Sequence, residues 1–396
     1  MVKKSKPDLL YLSPVVPGLG GNGLAMRAGT VLELLSAHYT VHLLIAPLYA
    51  AFDPRVPERL ARLCRSSVIV PPVPLAPRWS GWLRTWFGPK PVFATTPFAV
   101  VHVFRLSMLP FAEPYLNRFR HRPSRHLDMD DIESVTRSRI AELYRSNGEF
   151  AAADYEEAKA RRQEAVENEA LQRFDRVYVC SEIDGQKLSG RTAAEVLVLP
   201  NAIRIPEGVR ARPTGGLFSF LFIGTLGYYP NQDAVRYFCT EIVPRIRERA
   251  SAPFLVNIVG FGDMRSLRPL VRIPEVRLIG AVPDVRPWME ETDAVVVPLR
   301  AGGGTRIKIL EAFSFQRPVV STSTGREGIA ARDDEHLLIG DTPERFAEQC
   351  LRLMGDRALG ARLAANARRL AESEYSMEAL VRTMANYAPK RLTRRG

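Results

Sequence analysis

Short apolar runs alternate with amphipathic stretches along most of the chain. Apolar runs occupy residues 9–13, 40–46, 99–104 and 176–180, and residues 23–37 carry the spacing of an amphipathic helix. Strand-like runs separated by helix-like segments are typical of parallel sheets covered by helices, because parallel strands need a long crossover connection. The pattern therefore predicts an α/β protein with parallel sheets.

The alternation stops once and then begins again. Residues 151–174 predict a long, charged and largely solvated helix, and Pro and Gly residues cluster in residues 205–216 before a new strand-like run starts. A chain of 396 residues exceeds what one hydrophobic core usually serves. We therefore expect an N-terminal domain over residues 1–205 and a C-terminal domain over 206–375. A C-terminal helix over 376–396 is expected to pack back on the N-terminal domain.

The most informative segment follows the strand-like run at residues 293–299. Gly302, Gly303 and Gly304 stand before an amphipathic stretch, and glycines at a helix start allow an anion to approach the backbone N–H groups. Lys308 and Glu311 share one face of that helix, with Thr305 one turn earlier on the same side.

This arrangement predicts a nucleotide-sugar site. A lysine near the helix start suits a diphosphate, and a carboxylate one turn later suits the paired hydroxyls of a sugar. The alternative is an N-capped core helix whose glycines only permit close packing.

Composition points to a soluble protein of a reducing compartment. The four cysteines are far apart in the sequence and form no Cys-x-x-Cys pair, which argues against structural disulfides and zinc. No apolar stretch reaches the ~20 residues that a membrane span needs, and the basic N-terminus lacks the apolar run of a signal peptide. We expect a cytoplasmic protein, with the inner face of the membrane as an alternative location.

The net charge of +12 is unevenly distributed, and residues 77–88 interleave three tryptophans and a phenylalanine with arginines. Such a segment suits an anionic membrane surface. It also suits single-stranded nucleic acid, but no recognition motif accompanies the charge, so we expect no nucleic-acid partner. The simpler interpretation is a loop with aromatic side chains in the core and solvated arginines.

Several segments together resemble the retaining glycosyltransferases of family four. The matching segments are residues 222–231, 258–262, 278–285, 302–311 and 318–328, and their order and spacing are specific. The resemblance implies the GT-B architecture, in which two Rossmann-like domains with parallel sheets face each other across a cleft. It also implies transfer of a sugar from a UDP- or GDP-sugar to an acceptor hydroxyl with retention.

The resemblance assigns roles to residues of the C-terminal domain. Glu311 matches the second glutamate of the family's paired-glutamate motif, which is implied to bind the donor ribose, whereas Gly303 stands where the first is expected. Thr225 and Leu226 replace the family's arginine after the first strand of this domain, so Arg306 and Lys308 are expected to supply the positive charge. Together the candidate donor-binding and catalytic residues of this domain are Gly224, Gly302, Gly303, Gly304, Thr305, Arg306, Lys308 and Glu311.

The N-terminal domain offers further candidates. The loop Gly20, Gly21, Asn22 and Gly23 is expected near the donor phosphates and the acceptor. His102, near a strand end, is either structural or, by resemblance, a catalytic residue that meets the donor sugar. Arg105 and Asp130 are candidate acceptor ligands at strand ends, with Asp131 as an alternative to Asp130. The acids at 128, 130 and 131 lack the glycine and distant glutamate of a calcium loop. We expect neither a metal nor a cofactor.

Two other functions are open at this point. Residues 18–23 fit Gly-x-Gly-x-x-Gly, and Tyr155 and Lys159 fit the Tyr-x-x-x-Lys pair of short-chain dehydrogenases and sugar epimerases, although no acidic residue ends the second strand. A non-catalytic sugar-nucleotide binding protein would carry the same donor motifs. The expected acceptor is a glycan, a lipid-linked sugar or a small molecule.

Overall fold

The computed structural model describes residues 6–47, 55–70, 92–117, 122–209 and 216–387, and the chain forms two compact units. The first unit runs to Ile132 and also takes in Gln163–Leu199 and the chain from Val381. The second unit consists of Glu133–Arg162 and Pro200–Leu380. The aromatic and basic segment 77–88 lies outside the described residues.

The first unit is built on a parallel sheet of seven strands. The strand order is β3-β2-β1-β4-β5-β6-β7, and the strands are β1 Asp8–Ser13, β2 Thr40–Ile45, β3 Cys64–Ile69, β4 Val100–Phe104, β5 Ser124–Asp130, β6 Arg176–Val179 and β7 Glu195–Val198. Its helical segments are α1 Gly23–His38, α2 Glu58–Ala61, a 3-10 turn at Leu106–Met108, α3 Leu109–Leu116, and α6 Glu182–Leu188. Between them in the sequence come α4 Glu133–Ser146 and α5 Phe150–Leu171.

The second unit contains a parallel sheet of six strands in the order β10-β9-β8-β11-β12-β13. The strands are β8 Phe218–Ile223, β9 Phe254–Val259, β10 Val276–Gly280, β11 Ala294–Val297, β12 Val319–Ser321 and β13 Leu338–Ile339. The helices are α7 Tyr229–Tyr237, a π-helical turn at Phe238–Ile242, α8 Val243–Arg249, a 3-10 segment at Arg265–Arg272, α9 Arg286–Glu291, α10 Ile307–Ser314, α11 Ser323–Arg326, α12 Pro343–Gly355 and α13 Arg357–Glu374. The last helix, α14 Met377–Tyr387, begins in this unit, and its residues from Val381 belong to the first unit.

Burial on both faces explains why the strands are continuous apolar runs. In β1, Leu9, Leu10, Tyr11 and Leu12 are inaccessible to solvent, and all four residues of β11 are equally buried. Parallel strands between two helical layers carry no polar face, so their sequences do not alternate. The apolar runs at residues 9–13, 40–46, 99–104 and 176–180 are confirmed as strands, with end shifts of one residue.

The strand orders create a switch point in each sheet, where the connections leave in opposite directions. In the first unit this point lies between β1 and β4, and in the second it lies between β8 and β11. Open parallel sheets bind ligands outside the carboxyl ends of the strands at such points. The glycine-rich segment that follows β11 and the glycine that follows β8 therefore meet at the position where a ligand is expected.

Three further observations concern membrane-spanning helices, metal sites and cysteine pairing. None of the helices in the described part of the chain is both long and apolar enough to cross a bilayer. Among the same residues no group of three or more His, Cys, Asp or Glu side chains could hold a metal ion. The cysteines are unpaired, and Cys180, Cys239 and Cys350 are buried while Cys64 is partly exposed.

Candidate functional site

The glycine-rich segment is a loop that precedes the helix. The sequence predicted that the glycines open a helix, but α10 begins at Ile307. Gly302 and Gly304 have φ angles of 139° and 63°, which residues with a Cβ rarely adopt. Glycine is therefore required at these two positions by the shape of the loop itself.

Two arginines hold the carbonyl groups of this loop. Arg306 donates to the carbonyl oxygens of Gly303 and Gly304, and Arg139 of α4 donates from Nη1 to the oxygen of Gly302 at 3.1 Å. Because a trans peptide is planar, each carbonyl and the following N–H point in opposite directions. The N–H groups of residues 303–305 are therefore turned away from the arginines. Successive N–H groups of this kind form a concave site for an anion.

The ammonium group of Lys308 lies beside this loop at the end of β8. Its Nζ donates to Oδ1 of Asn231 at 2.9 Å and lies 4.4 Å from the ring centroid of Phe222. A Cβ added to Gly224 would lie 2.8 Å from the same Nζ. Because Gly224 has no side chain, it leaves room for the ammonium group of Lys308. Lys308 itself lies in the first turn of α10.

Lys308 and Glu311 both have strongly shifted pKa values. Burial, reinforced by the positive charge of Arg306, lowers the pKa of Lys308 to about 7, although Glu311 opposes the shift. Burial likewise raises the pKa of Glu311 to about 7 against the influence of Lys308. Within the described residues the two side chains form no ion pair, so this is not a surface pair on a helix. Buried groups whose pKa values are strongly shifted in this way are characteristic of ligand sites.

Thr305 lies outside α10. The prediction that it shares a helical face with Lys308 and Glu311 is wrong, because the helix starts two residues later. Its hydroxyl oxygen instead accepts a hydrogen bond from Nδ2 of Asn201 at 2.6 Å, and both side chains are buried. Thr305 thereby fixes the end of the glycine loop from inside the second unit.

In the first unit, the loop of Gly20, Gly21, Asn22 and Gly23 leads from β1 into α1. Oδ1 of Asn22 accepts from the N–H of Ala25 at 2.9 Å and caps the helix, and α1 begins at Gly23. Gly20 and Gly21 are exposed, with no atom within 4 Å of an added Cβ. The predicted loop is therefore a helix start with open backbone at the carboxyl end of β1.

Arg105 directly follows the carboxyl end of β4, and Asp130 is the last residue of β5. Both have positive φ angles, 68° and 62°, which are uncommon for residues with side chains. Nη1 of Arg105 donates to the carbonyl oxygen of Met129 at 3.0 Å, pairs with Asp131, and lies 3.6 Å from Oδ2 of Asp130. Burial raises the pKa of Asp130 to about 6, although Arg27 and Arg105 oppose the shift.

His102 lies in the middle of β4 and not at its end, so that part of the prediction is wrong. Its ring is 1 % exposed and contacts the rings of Tyr11, His126 and Tyr178. Burial, with a smaller contribution from Arg27, lowers its pKa to about 3, so the ring is neutral. This environment is that of a core histidine.

Tyr155 and Lys159 do not form a dehydrogenase-like site. The Tyr155 side chain lies on α5 and is 61 % exposed, and the Lys159 ammonium stacks on its ring at 4.1 Å from the centroid. Exposure of this kind gives no enclosed place for a cofactor. The acids of β5 are likewise engaged with arginines, since Asp128 pairs with Arg27 at 2.8 Å.

Three residues that complete the site in the second unit were not predicted from the sequence. Asn231 lies in the matched segment 222–231, but its bond to Lys308 depends on how α7 meets α10. Asn201 and Arg139 are distant from the loop in sequence, and no motif marks them. Both reach it through tertiary contacts alone.

Residues 218–356 match a family model described as glycosyl transferases group 1. The match lies wholly within the second unit and includes Gly224, the glycine loop, Lys308 and Glu311. The comparison with curated proteins found no match to this sequence.

The fold is similar to those of solved glycosyltransferase structures. One is the sucrose-phosphate synthase from Thermosynechococcus elongatus, with 14% identity and a TM-score of 0.69 over 96% of this chain and 98% of that one. Another is HepE from Anabaena in complex with UDP-glucose, with 14% identity and a TM-score of 0.66 over 96% and 99% of the two chains. A third is WaaG, a glycosyltransferase involved in lipopolysaccharide biosynthesis, with 14% identity and a TM-score of 0.61 over 96% and 100%.

These similarities confirm the GT-B fold with two Rossmann-like parallel sheets. The matched domain supports glycosyl transfer as the activity of this chain.

Proposed function

We propose that this protein is a retaining, metal-independent glycosyltransferase that moves a hexose from a nucleoside diphosphate sugar to an acceptor hydroxyl. The observation that carries the proposal is the loop of residues 302–304, whose carbonyl oxygens are held by arginines while Lys308 lies beside it. The loop lies at the switch point of a sheet within a group 1 glycosyltransferase domain.

The donor diphosphate binds at the glycine loop in this proposal. The N–H groups of residues 303–305 face away from the arginines, and Lys308 adds a positive charge at the start of α10. A phosphate replaces part of the hydration that Lys308 has lost, so its pKa should rise when the donor binds. In this scheme Arg306 acts mainly through the loop, because its guanidinium is already bonded to the Gly303 and Gly304 carbonyls.

The donor ribose is assigned to Glu311. Its carboxylate is half-buried one turn further along α10, and no hydrogen-bond donor of the described residues engages it. A buried carboxylate without a donor favours its neutral form, which is why its pKa is raised. Two ribose hydroxyls would supply the missing hydrogen bonds.

The acceptor is assigned to the first unit. Arg105 and Asp130 lie at neighbouring strand ends next to the switch point, and their unusual backbone angles are typical of functional positions. The exposed backbone at Gly20 and Gly21 follows the adjacent strand, β1. These groups offer both donors and acceptors for sugar hydroxyls.

In the proposed reaction the bond between the anomeric carbon and the donor phosphate oxygen breaks. The acceptor oxygen forms its bond on the same face, and its proton passes to the leaving phosphate. Lys308 and the loop N–H groups stabilise the charge that develops on that phosphate, which is electrostatic stabilisation by groups already in place. No step requires a metal, since positive charge at the diphosphate comes from the protein.

The setting of the reaction is a further part of the proposal. We propose a glycan, lipid-linked or small-molecule acceptor and a cytoplasmic location, with contact to an anionic membrane surface through residues 77–88. WaaG, one of the structural neighbours, is described as acting in lipopolysaccharide biosynthesis. That description makes a lipid-linked acceptor the first to test.

Calorimetric titration of the purified protein with UDP-, GDP-, ADP- and TDP-sugars tests the donor site. We expect one base to bind preferentially, and Lys308→Ala and Glu311→Gln to weaken that binding without lowering the melting temperature. Binding unaffected by both substitutions would refute the site. An enzyme should slowly hydrolyse the bound donor, whereas a non-catalytic sugar-nucleotide binding protein should not. The release of free sugar measures this hydrolysis.

A further inference from the structure

Arg139 connects α4 to the glycine loop of the second unit. Its Nη1 donates to the Gly302 carbonyl oxygen at 3.1 Å, and its Nη2 lies 3.0 Å from Oε1 of Glu327. We infer that Arg139 is a positioning residue that sets the orientation of the Gly302–Gly303 peptide for the donor diphosphate. The inference rests on the proposed function, because it assumes that the diphosphate binds at this loop.

Among the side chains of the described residues, Arg139 is the one that donates to the Gly302 carbonyl oxygen. Arg306 holds the two following carbonyls, of Gly303 and Gly304. Gly302 has a φ of 139° and no side chain, so its own backbone does not restrict this peptide to one orientation. Because the peptide is planar, fixing the Gly302 oxygen also fixes the direction of the Gly303 N–H. Arg139 therefore completes the row of N–H groups on the phosphate side.

Glu327 determines where the guanidinium lies. Arg139 forms two contacts through its two terminal nitrogens, one with a carbonyl and one with a carboxylate, which suits the forked donor arrangement of arginine. Lysine has a single ammonium group and cannot reproduce both contacts with the same geometry. Glu327 follows α11, whose Thr324 carbonyl accepts from Arg306 at 3.3 Å, so both arginines brace the loop against the same segment.

Helix α4 is attached to the second unit independently of Arg139. The rings of Tyr144 and Tyr229 stack with centroids 3.7 Å apart. Nδ2 of Asn147 donates to the Tyr229 hydroxyl at 2.9 Å and to Oδ1 of Asp233 at 2.8 Å, and Arg300 donates to Oδ1 of Asn147 at 2.9 Å. Removal of the Arg139 side chain should therefore leave the helix in place.

Arg137 provides a matched control on the same helix. Its side chain is 29% exposed against 28% for Arg139, and it also pairs with carboxylates, those of Glu133 and Glu156. In the described part of the chain, its side chain bonds to these two carboxylates and not to the glycine loop. Arg137→Ala therefore removes a comparable arginine and its ion pairs without touching the loop.

The test measures donor binding and donor hydrolysis in full-length Arg139→Ala, Arg139→Lys, Arg137→Ala and Lys308→Ala, with the nucleoside diphosphate sugar that binds the wild type best. We expect Arg139→Ala to raise the donor Kd and KM about tenfold, the loss typical of one charge-assisted hydrogen bond. The kcat at saturating donor and the melting temperature should stay near wild type. Arg139→Lys should recover part of the affinity, and Arg137→Ala should bind donor normally.

Three results would overturn the inference. If Lys308→Ala weakens donor binding while Arg139→Ala and Arg139→Lys bind like the wild type, the donor site stands and the positioning role fails. If Arg137→Ala weakens binding as much as Arg139→Ala, the effect belongs to α4 as a whole. If Lys308→Ala also binds normally, the donor site itself is misplaced. Should Arg139→Ala not fold, Arg139→Lys gives the same decision.

Discussion

The pH dependence of donor affinity is the sharpest test of the Lys308 and Glu311 pair. In the free protein both groups have pKa values of about 7, Lys308 because burial lowers its pKa and Glu311 because burial raises its pKa. The proposed complex needs the lysine protonated and the glutamate ionised. Above pH 7 binding must therefore take up a proton at Lys308, and below pH 7 it must release one from Glu311.

The magnitude follows from proton linkage. Each pH unit beyond the free pKa costs about 1.4 kcal/mol, or roughly tenfold in affinity, until the pKa of the complex is reached. Donor affinity should therefore be greatest near pH 7 and fall on both sides. Lys308→Met keeps an unbranched side chain as far as Cε and removes the charged ammonium group, and it should lose about 1.5 to 3 kcal/mol of binding from the missing charge-assisted hydrogen bond. At pH 7 half of the lysines are neutral, which offsets that loss by about 0.4 kcal/mol.

Calorimetric binding titrations with a nucleoside diphosphate sugar, carried out between pH 5.5 and 8.5, measure donor affinity as a function of pH. This donor has no terminal phosphate group whose own ionisation would change over that range. Lys308→Met should abolish the decline above pH 7 and keep the one below it, whereas Glu311→Gln should do the reverse. Neither variant should melt below the wild type, because each removes a group whose charge is poorly solvated in the free protein. A wild-type curve that is flat across this range would refute the assignment of both residues.

Three other expectations follow from the same geometry. Glu311→Gln at pH 7 should raise the donor KM with little effect on the melting temperature, which steady-state kinetics and a thermal melt would check; an unaltered KM places the ribose elsewhere. Gly224→Ala should weaken donor binding, but less than loss of Lys308, since the new Cβ would lie 2.8 Å from Nζ and displaces the flexible end of the lysine without removing its charge; calorimetry decides this. Transfer activity should persist in excess chelator, and a loss that magnesium reverses would redirect attention to Asp128 and Asp130.

The sequence determined the fold class and one half of the site. Strands buried on both faces leave continuous apolar runs, and helices leave a 3.6-residue period, so the parallel α/β fold is visible without coordinates. The donor motif is also local, because Gly302, Lys308 and Glu311 lie within one loop and the helix that follows it. A site of so few consecutive residues can be recognised from the sequence, because the residues that form it are neighbours in the chain.

Only the tertiary structure decided which side chains complete that site and which do not. Asn231 and Arg139 reach Lys308 and the glycine loop from other helices, and the spacing of residues in the sequence does not record how helices meet. The position of His102 depends on strand register, which places it inside the sheet and not at its end. Segment 133–162 gives no sign in its charged composition that it belongs to the second unit, because membership is set by contacts such as the stacking of Tyr144 on Tyr229.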